Sequence, residues 1–208
     1  MQTKKRIILG SASPRRRELL EQIGISFEVR VSDKEEVYHS LIPEEIVKEL
    51  ALSKAENVAD DLREKQEQVK QISFDKKNNV LLDTIVIGAD TIVVSDGSIL
   101  GKPKDEADAV RMIRSLQGRS HKVYTGVAIL DYDDEGKRKS VVHAVETEVF
   151  VNPMSDEEIR EYAATGEPLD KAGAYGIQGQ FAAYIERIDG DYYNVVGLPV
   201  SYVYRQLK

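Results

Sequence analysis

Two stretches of the sequence place charged side chains where a folded chain needs a chemical reason for them. The first is Ser11-Ala12-Ser13-Pro14-Arg15-Arg16-Arg17, which follows the apolar run Ile7-Ile8-Leu9. The pattern predicts a buried strand, a tight turn and a helix that begins at Pro14 with Ser13 as its N-cap. Three arginines in a first turn oppose the helix dipole, whereas a bound polyphosphate would reverse that repulsion. We therefore expect an anion site here, and a solvated basic helix face is the alternative.

The second stretch places an aspartate inside an apolar segment. Asp90 lies in Ile85-Val86-Ile87-Gly88-Ala89-Asp90-Thr91-Ile92-Val93-Val94, which predicts a strand that Gly88-Ala89-Asp90 interrupts. An ionised carboxylate in such surroundings requires a metal, a hydrogen-bond donor or a cation to compensate it. The hypothesis is that Asp90 binds a metal, acts as general base for a water, or does both. The alternative is a strand-end aspartate that caps neighbouring backbone.

Three further charged positions are weaker signals of the same kind. Lys54 falls on the apolar stripe of a helix that is predicted to begin at Pro43, and a snorkelling lysine is the alternative. Lys102 lies in a turn before another predicted helix. Glu35 and Glu36 belong to an acidic loop whose oxygens suit Mg²⁺ or Mn²⁺, although most acidic loops are only solvated.

The elements that must position these residues alternate between strands and helices, which predicts an α/β fold with a mixed sheet. Strands are predicted at residues 27–31, 80–94, 123–129 and 141–149, and helices at residues 14–22, 43 towards 69, 105–117, 155–164 and 199–207. A hairpin is predicted over residues 181–196 with its turn at Asp189-Gly190. The polar segment 64–79 is hard to assign, and Asn78-Asn79 predicts a turn within it.

The composition limits the class of protein. The chain has 208 residues, 41% of them hydrophobic and 31% charged, as in a globular domain. It has no cysteine, which excludes disulfides and cysteine-bound zinc. The net charge of −7 argues against binding of duplex nucleic acid through a broad basic face. The apolar runs are too short for a bilayer span or a signal peptide, so we expect a cytoplasmic protein without a membrane partner.

Five motifs occur in the order in which a known protein family has them. They are Ser11-Ala12-Ser13-Pro14-Arg15-Arg16, Gly88-Ala89-Asp90-Thr91, Lys102-Pro103, the loop Glu167-Pro168-Leu169-Asp170-Lys171-Ala172-Gly173-Ala174-Tyr175-Gly176-Ile177-Gln178-Gly179, and Val195-Val196-Gly197-Leu198-Pro199. With these motifs the chain resembles the Maf family, also called septum formation inhibitor proteins, over almost its whole length. The resemblance implies an α/β fold with a mixed twisted sheet, flanking helices and two lobes around a deep cleft, similar to ITPases, in one domain at residues 1–208.

The resemblance also implies the reaction and the residues that carry it. Maf-like proteins are nucleoside triphosphate pyrophosphatases that need a divalent cation, Mg²⁺ or Mn²⁺. The residues that match the family's phosphate site are Ser11, Arg15 and Arg16, and those that match its reaction centre are Glu36, Lys54, Asp90, Lys102 and Gln178. Asp90 matches the general base and, with Glu36, the metal site, although a one-residue shift would put Glu35 in the place of Glu36. Arg16, Thr91 and Gln178 match the branch that acts on dTTP and UTP.

The function expected from the resemblance is hydrolysis of dTTP and UTP to the monophosphate and pyrophosphate by metal-assisted attack of water on the α-phosphorus. One alternative is a nucleotide-binding regulator of cell division and septum formation in which hydrolysis is vestigial. Another is an enzyme of the same class that removes modified pyrimidine nucleotides. Members of the family are often dimers, so the resemblance also implies a homodimer.

Overall fold

The computed structural model describes residues 4–72 and 82–208. Over these two ranges the chain forms seven strands and six α-helices. The strands are β1 (Arg6–Leu9), β2 (Glu28–Val29), β3 (Thr84–Ser95), β4 (Ser98–Leu100), β5 (Ser120–Tyr132), β6 (Arg138–Val151) and β7 (Ile185–Asp189). The helices are α1 (Pro14–Gln22), α2 (Pro43–Ile72), α3 (Glu106–Leu116), α4 (Asp156–Ala164), α5 (Tyr192–Val196) and α6 (Val200–Gln206).

All the described strands join in one mixed sheet. Its order is β2-β1-β3-β5-β6-β7, and β4 pairs with the end of β3. β1 runs parallel to both β2 and β3, whereas β3, β5, β6 and β7 are successively antiparallel. This sheet confirms the predicted mixed α/β class.

Side chains of β3 alternate between the two faces of the sheet, as the period of a strand requires. Ile87 and Val93 point into a large core shared with α1, α3, α4 and α6, whereas Val86 and Ile92 point to the opposite face, against α2. Each face is therefore covered by helices. None of the helices in the described ranges is both long and apolar enough to cross a membrane.

Several local predictions are confirmed. Helix α1 begins at Pro14 and ends at Gln22, as predicted. In the structure Asp96-Gly97 forms a hairpin turn between β3 and β4, with both residues at positive φ. Helix α4 lies within the predicted range 155–164 and begins with a capping box of Ser155 and Glu158. Helix α2 extends through the first part of the polar segment, to Ile72. The predicted turn at Asn78-Asn79 lies outside the described residues, as do the first two residues of the strand that was predicted from residue 80.

Two strand predictions were wrong in detail. β3 continues without interruption through Asp90, because Asp90 pairs in register with Gly126 of β5 and the antiparallel ladder runs on to both sides. The half-buried strand predicted at residues 27–31 is reduced to Glu28–Val29, and both residues are exposed. The alternation of apolar and charged residues there belongs to a short edge strand that pairs only with β1 among the described strands. Neither Glu28 nor Val29 is buried in it.

The predicted hairpin over residues 181–196 was also wrong. Its second half forms helix α5 instead of a strand, and its first half begins with a 3-10 turn before β7. Asp191 begins the helix by accepting a hydrogen bond from Tyr193 N. The fully buried Asn194 then donates to Val123 O and to Thr147 Oγ1. Those tertiary hydrogen bonds outweigh the strand propensity of the tyrosines and valines.

Candidate active site

The candidate site lies where the central strand β3 changes its neighbour. β1 pairs with β3 only as far as Ile87, and β4 pairs with it from Val93 onward. Among the described strands, β5 alone pairs with residues 88–92. The turn after β1, at residues 10–13, therefore comes to line the same cavity as Asp90. Ligands of open α/β sheets bind at such a point, beyond the carboxyl ends of the parallel strands.

Helix α2 approaches the sheet closely at two glycines of neighbouring strands. A β-carbon on Gly88 would lie 2.2 Å from Ala51 O, and one on Gly126 would lie 2.0 Å from Val47 O. Side chains do not fit at such distances, so both positions require glycine. Gly126 is the register partner of Asp90. The two glycines therefore bring α2 against the part of the sheet that carries the aspartate.

Lys54 of α2 bridges two carboxylates at this contact. Its Nζ lies 2.5 Å from Asp90 Oδ1 and 2.8 Å from Glu36 Oε2. The side chains of Lys54 and Asp90 are only 18% and 17% exposed, and charges with so little access to water need each other's compensation. The lysine on the apolar stripe of α2 is thereby explained. Glu36 is the member of the Glu35-Glu36 pair that makes this contact.

Arg16 is buried and held by three acceptors of the protein. Its Nε donates to Gly197 O at 2.7 Å, its Nη1 to Ser11 Oγ at 2.9 Å and its Nη2 to Thr91 Oγ1 at 3.0 Å. Burial lowers the pKa of the Arg16 guanidinium, and the charge of Asp90 opposes that shift. The group remains a cation because arginine's ordinary pKa is so high. With five N–H groups in a guanidinium, Arg16 can hold this scaffold and still donate to an anion in the cavity.

The remaining predicted residues reach the cavity from separate elements. Arg15 lies in the first turn of α1, and its Nη1 is 3.5 Å from Asp170 Oδ2. Lys102 follows β4 and is exposed, and Gln178 lies in a turn at residues 176–179. The structure thus places all nine residues of the sequence hypothesis around one cavity: Ser11, Arg15, Arg16, Glu36, Lys54, Asp90, Thr91, Lys102 and Gln178.

The cavity is positively charged although the chain is acidic. It has a volume of about 550 Å³, within the range of small-molecule sites. Among the described residues that line it, five cations face three carboxylates: Arg15, Arg16, Lys54, Lys102 and Lys171, against Glu36, Asp90 and Asp170. A cavity with this excess in a chain of net charge −7 favours an anionic ligand.

The carboxylates also suit a divalent cation. Asp90 and Glu36 contact the same ammonium group, so their oxygens lie close together. Residues 4–72 and 82–208 contain no group of three or more histidines and acidic residues arranged for a metal. Mg²⁺, however, is commonly bound by one or two carboxylates together with the phosphates of a substrate. The pair therefore fits a cation that binds with a nucleotide.

Sequence reasoning did not identify several residues of the site. Lys171 lines the cavity, is 15% exposed, and donates to Asp170 Oδ1 at 2.6 Å and to Glu167 O at 2.7 Å. Asn57 lies on α2 one turn beyond the bridging lysine, and Tyr175 lies in the loop after α4. The only sequence signal for Lys171 and Tyr175 was their place in the long loop motif.

Fold and cavity together define an α/β protein with a positively charged cleft, which is lined by a lysine between two carboxylates. A family model described as Maf-like protein matches residues 6–208. The dTTP/UTP pyrophosphatase of Agathobacter rectalis is 46% identical over 202 residues, which cover 97% of this chain and 96% of that protein. The dTTP/UTP pyrophosphatase of Bacillus cereus is 48% identical over 207 residues, which cover 98% and 89%. The chain belongs to the Maf-like protein family.

One solved structure with detectable similarity is the Ham1 protein of Staphylococcus aureus. It is 16% identical, with 70% of this chain and 72% of that chain covered, and the TM-score is 0.38. At that score the similarity says nothing about activity.

Proposed function

We propose that this protein hydrolyses dTTP and UTP to the nucleoside monophosphate and pyrophosphate. The observation that carries the proposal is Lys54 held between Asp90 and Glu36 in a cavity where cations outnumber carboxylates. Two relatives that are 46% and 48% identical over nearly the whole chain are named dTTP/UTP pyrophosphatases. Their names support the choice of substrate.

The phosphates of the nucleotide would bind at the start of α1. Ser11 Oγ, Arg15 and Arg16 lie there, beside the free N–H groups of the helix N-terminus. Arginine donates two parallel hydrogen bonds to phosphate oxygens, and the dipole of α1 adds positive potential. Lys102, which lines the same cavity, would neutralise further phosphate charge.

In the chemical step, Asp90 would accept a proton from water while the water oxygen bonds to the α-phosphorus. The bond between that phosphorus and the oxygen that bridges to the β-phosphorus breaks, and pyrophosphate leaves. Lys54 holds Asp90 at 2.5 Å and so fixes the direction in which the carboxylate faces. Fixed charges and positioning would supply most of the rate enhancement.

A divalent cation, Mg²⁺ or Mn²⁺, held by Asp90 and Glu36 would supply charge neutralisation for the phosphate oxygens when it is bound. Thr91 Oγ1 receives a hydrogen bond from Arg16, which connects the phosphate site to the neighbouring wall of the cavity. Thr91 and Gln178 would contact the pyrimidine ring there.

We further propose that residues 1–208 act as one domain of two lobes, that the protein forms a homodimer, and that it acts in the cytoplasm.

The first test is pyrophosphate release from a panel of nucleoside triphosphates with Mg²⁺ or Mn²⁺, each with an EDTA control. We expect release from dTTP and UTP that EDTA abolishes. Hydrolysis only of nucleoside triphosphates with other bases would overturn the substrate assignment but keep the reaction. A higher kcat/KM for methylated pyrimidine nucleotides than for dTTP and UTP would favour a role in removing modified nucleotides. Nucleotide binding without any turnover would favour the regulator of division.

Asp90→Asn tests the role of the carboxylate. We expect kcat to fall by at least ~10²-fold, as for loss of a general base, while nucleotide binding remains measurable. Asp134→Asn is the matched control, because Asp134 is exposed in the turn between β5 and β6. Near-normal turnover in Asp90→Asn would refute the assignment of the base.

A further inference from the structure

The turn that presents Gln178 has two different faces. Gly179 N donates to Gly176 O at 3.1 Å, which closes a four-residue turn with Ile177 and Gln178 at its corners. Ile177 and Gln178 both line the cavity, but Ile177 is 8% exposed and packs in the main core, whereas Gln178 is exposed. The place of the glutamine side chain therefore depends on how the backbone of this turn is held.

Both ends of the turn are held by a single pair of side chains. At its start, Gly176 N donates to Tyr162 Oη at 3.4 Å, and just beyond its end Gln180 N donates to Glu167 Oε2 at 3.0 Å. Tyr162 Oη donates to Glu167 Oε1 at 2.9 Å. One hydroxyl and one carboxylate thus form a continuous bridge between the two ends.

The backbone of the turn lies close against two side chains, Glu167 of this bridge and Lys171. A β-carbon on Gly179 would lie 2.2 Å from Glu167 Oε1, and one on Gly176 would lie 2.7 Å from Lys171 Cε. The main chain therefore contacts the carboxylate and the lysine stem directly. A shift of Glu167 would move the turn with it.

The bridge itself has a rigid support. Tyr162 is 3% exposed, belongs to helix α4, and packs its ring against Phe181 with 5.0 Å between ring centroids. Burial raises the pKa of the Tyr162 hydroxyl, and its contact with Glu167 acts in the same direction. The hydroxyl therefore stays protonated and can donate a hydrogen bond to the carboxylate.

We propose that Tyr162 and Glu167 are positioning residues that set the place of Gln178 in the cavity, and thereby the efficiency with which dTTP and UTP are used. This inference rests on the proposed function. Neither residue lines the cavity with the predicted site residues; both act through the turn at residues 176–179. The carboxylate matters because it accepts two hydrogen bonds at once, from a side chain and from a backbone N–H.

A double-mutant cycle separates this role from general loop stability. Tyr162 Oη and Gln180 N donate to different oxygens of Glu167. Glu167→Gln keeps the size of the side chain but replaces one of those oxygens with an NH2 donor, so one of the two hydrogen bonds is lost. We expect kcat/KM for dTTP and UTP to fall roughly ten-fold, since a misplaced group near the reaction is costly. In a Gln178→Ala background, Glu167→Gln should lower kcat/KM by a further factor of less than about two, because the effects of coupled residues are not additive. Glu161→Gln, on the exposed side of α4, is the control. It should leave kcat/KM unchanged both in the wild-type protein and in the Gln178→Ala background.

Tyr162→Phe is the second variant and removes only the hydroxyl group. It should give the same non-additivity with Gln178→Ala, and melting temperatures of all variants show whether folding is retained. Additive losses for both variants, or an unchanged kcat/KM, would overturn the proposal while the proposed function stands.

If the wild-type protein hydrolyses neither nucleotide, the proposed function fails and hydrogen exchange still tests the positioning. The amides of Gly176 and Gln180 should then exchange faster in Tyr162→Phe and Glu167→Gln than in Glu161→Gln. Equal exchange in all three variants would overturn the proposal on grounds that do not depend on activity.

Discussion

Acid should destabilise this protein through one buried histidine. His121 of β5 is 3% exposed, and its Nε2 lies 2.7 Å from Tyr175 Oη. Its Nδ1 has no hydrogen-bond partner in the part of the chain that the structure describes. Burial lowers the pKa of His121 from its ordinary 6.5 to about 4. The native protein therefore holds the imidazole neutral in the pH range where the unfolded chain binds a proton to it.

The size of the effect follows from that difference in pKa. Between pH 6.5 and about 4 the unfolded state binds more protons than the native state, so the free energy of unfolding falls as the pH falls. The stability that the native state gains by burying a neutral His121 is fully present above pH 6.5. It is lost progressively as the pH falls towards 4. The shift from 6.5 to about 4 corresponds to roughly 3 kcal/mol, at about 1.4 kcal/mol per pKa unit.

The assay is urea unfolding of the wild type and of His121→Gln over a series of pH values. The amide can keep a hydrogen bond to Tyr175 but cannot titrate, so the difference in unfolding free energy between the two proteins should shift by roughly 3 kcal/mol in favour of the variant as the pH falls. Carboxylates titrate in both proteins and cancel in that difference. His39→Gln is the control, because the His39 side chain is 85% exposed.

Parallel stability curves for the wild type and His121→Gln would refute this reasoning. A direct NMR titration of His121 with a midpoint near its ordinary pKa would do the same. Because Tyr175 lines the cavity, we also expect activity to be lost over the same acidic range in the wild type before it is lost in the variant.

Two further substitutions test the packing of the site. Gly126→Ala should destabilise the protein by about 2 kcal/mol or more in urea unfolding, because its β-carbon would meet Val47 O; Gly101→Ala, where a β-carbon has open space, should be tolerated, and equal stabilities would contradict the close approach of α2. Arg16→Ala should raise KM for the nucleotide and cost roughly 1–3 kcal/mol of stability, because buried acceptors lose their donor. Initial rates of pyrophosphate release measure KM and melting curves measure stability, and an unchanged KM would remove Arg16 from the phosphate site.

Sequence reasoning identified the charged residues that no structural role explained. Lys54 on an apolar stripe and Asp90 in an apolar strand were each ambiguous alone, and each proved to be the other's partner. Their pairing itself could not be predicted, because it depends on how closely α2 packs against the sheet at Gly88 and Gly126. Glu36 reaches the same site from a loop whose path no local pattern determines.

Two failures of the sequence analysis, at residues 192–196 and at Glu167, have a common physical cause. Residues 192–196 carry strand-favouring tyrosines and valines, yet the buried amide of Asn194 and the cap at Asp191 form a helix there. Glu167 was noted only as part of the long loop motif, and its role could not be predicted because one of its two donors is a backbone N–H group, which no residue type reveals. Local propensity reports neither kind of long-range hydrogen bond.

Asp90 and Gln178 line the same cavity but are held by different parts of the fold. Asp90 is set in the central strand of the sheet under α2, whereas Gln178 sits on a turn tied to α4 through Tyr162 and Glu167. We therefore expect a substitution of Tyr162 or Glu167 to leave the bridging lysine and its two carboxylates in place, because in the described parts of the chain no hydrogen bond or ion pair joins them to the turn. Under the proposed function, the choice of base can therefore change in evolution without a change in the phosphate chemistry, and laboratory selection for a new nucleotide should begin at residues 176–180.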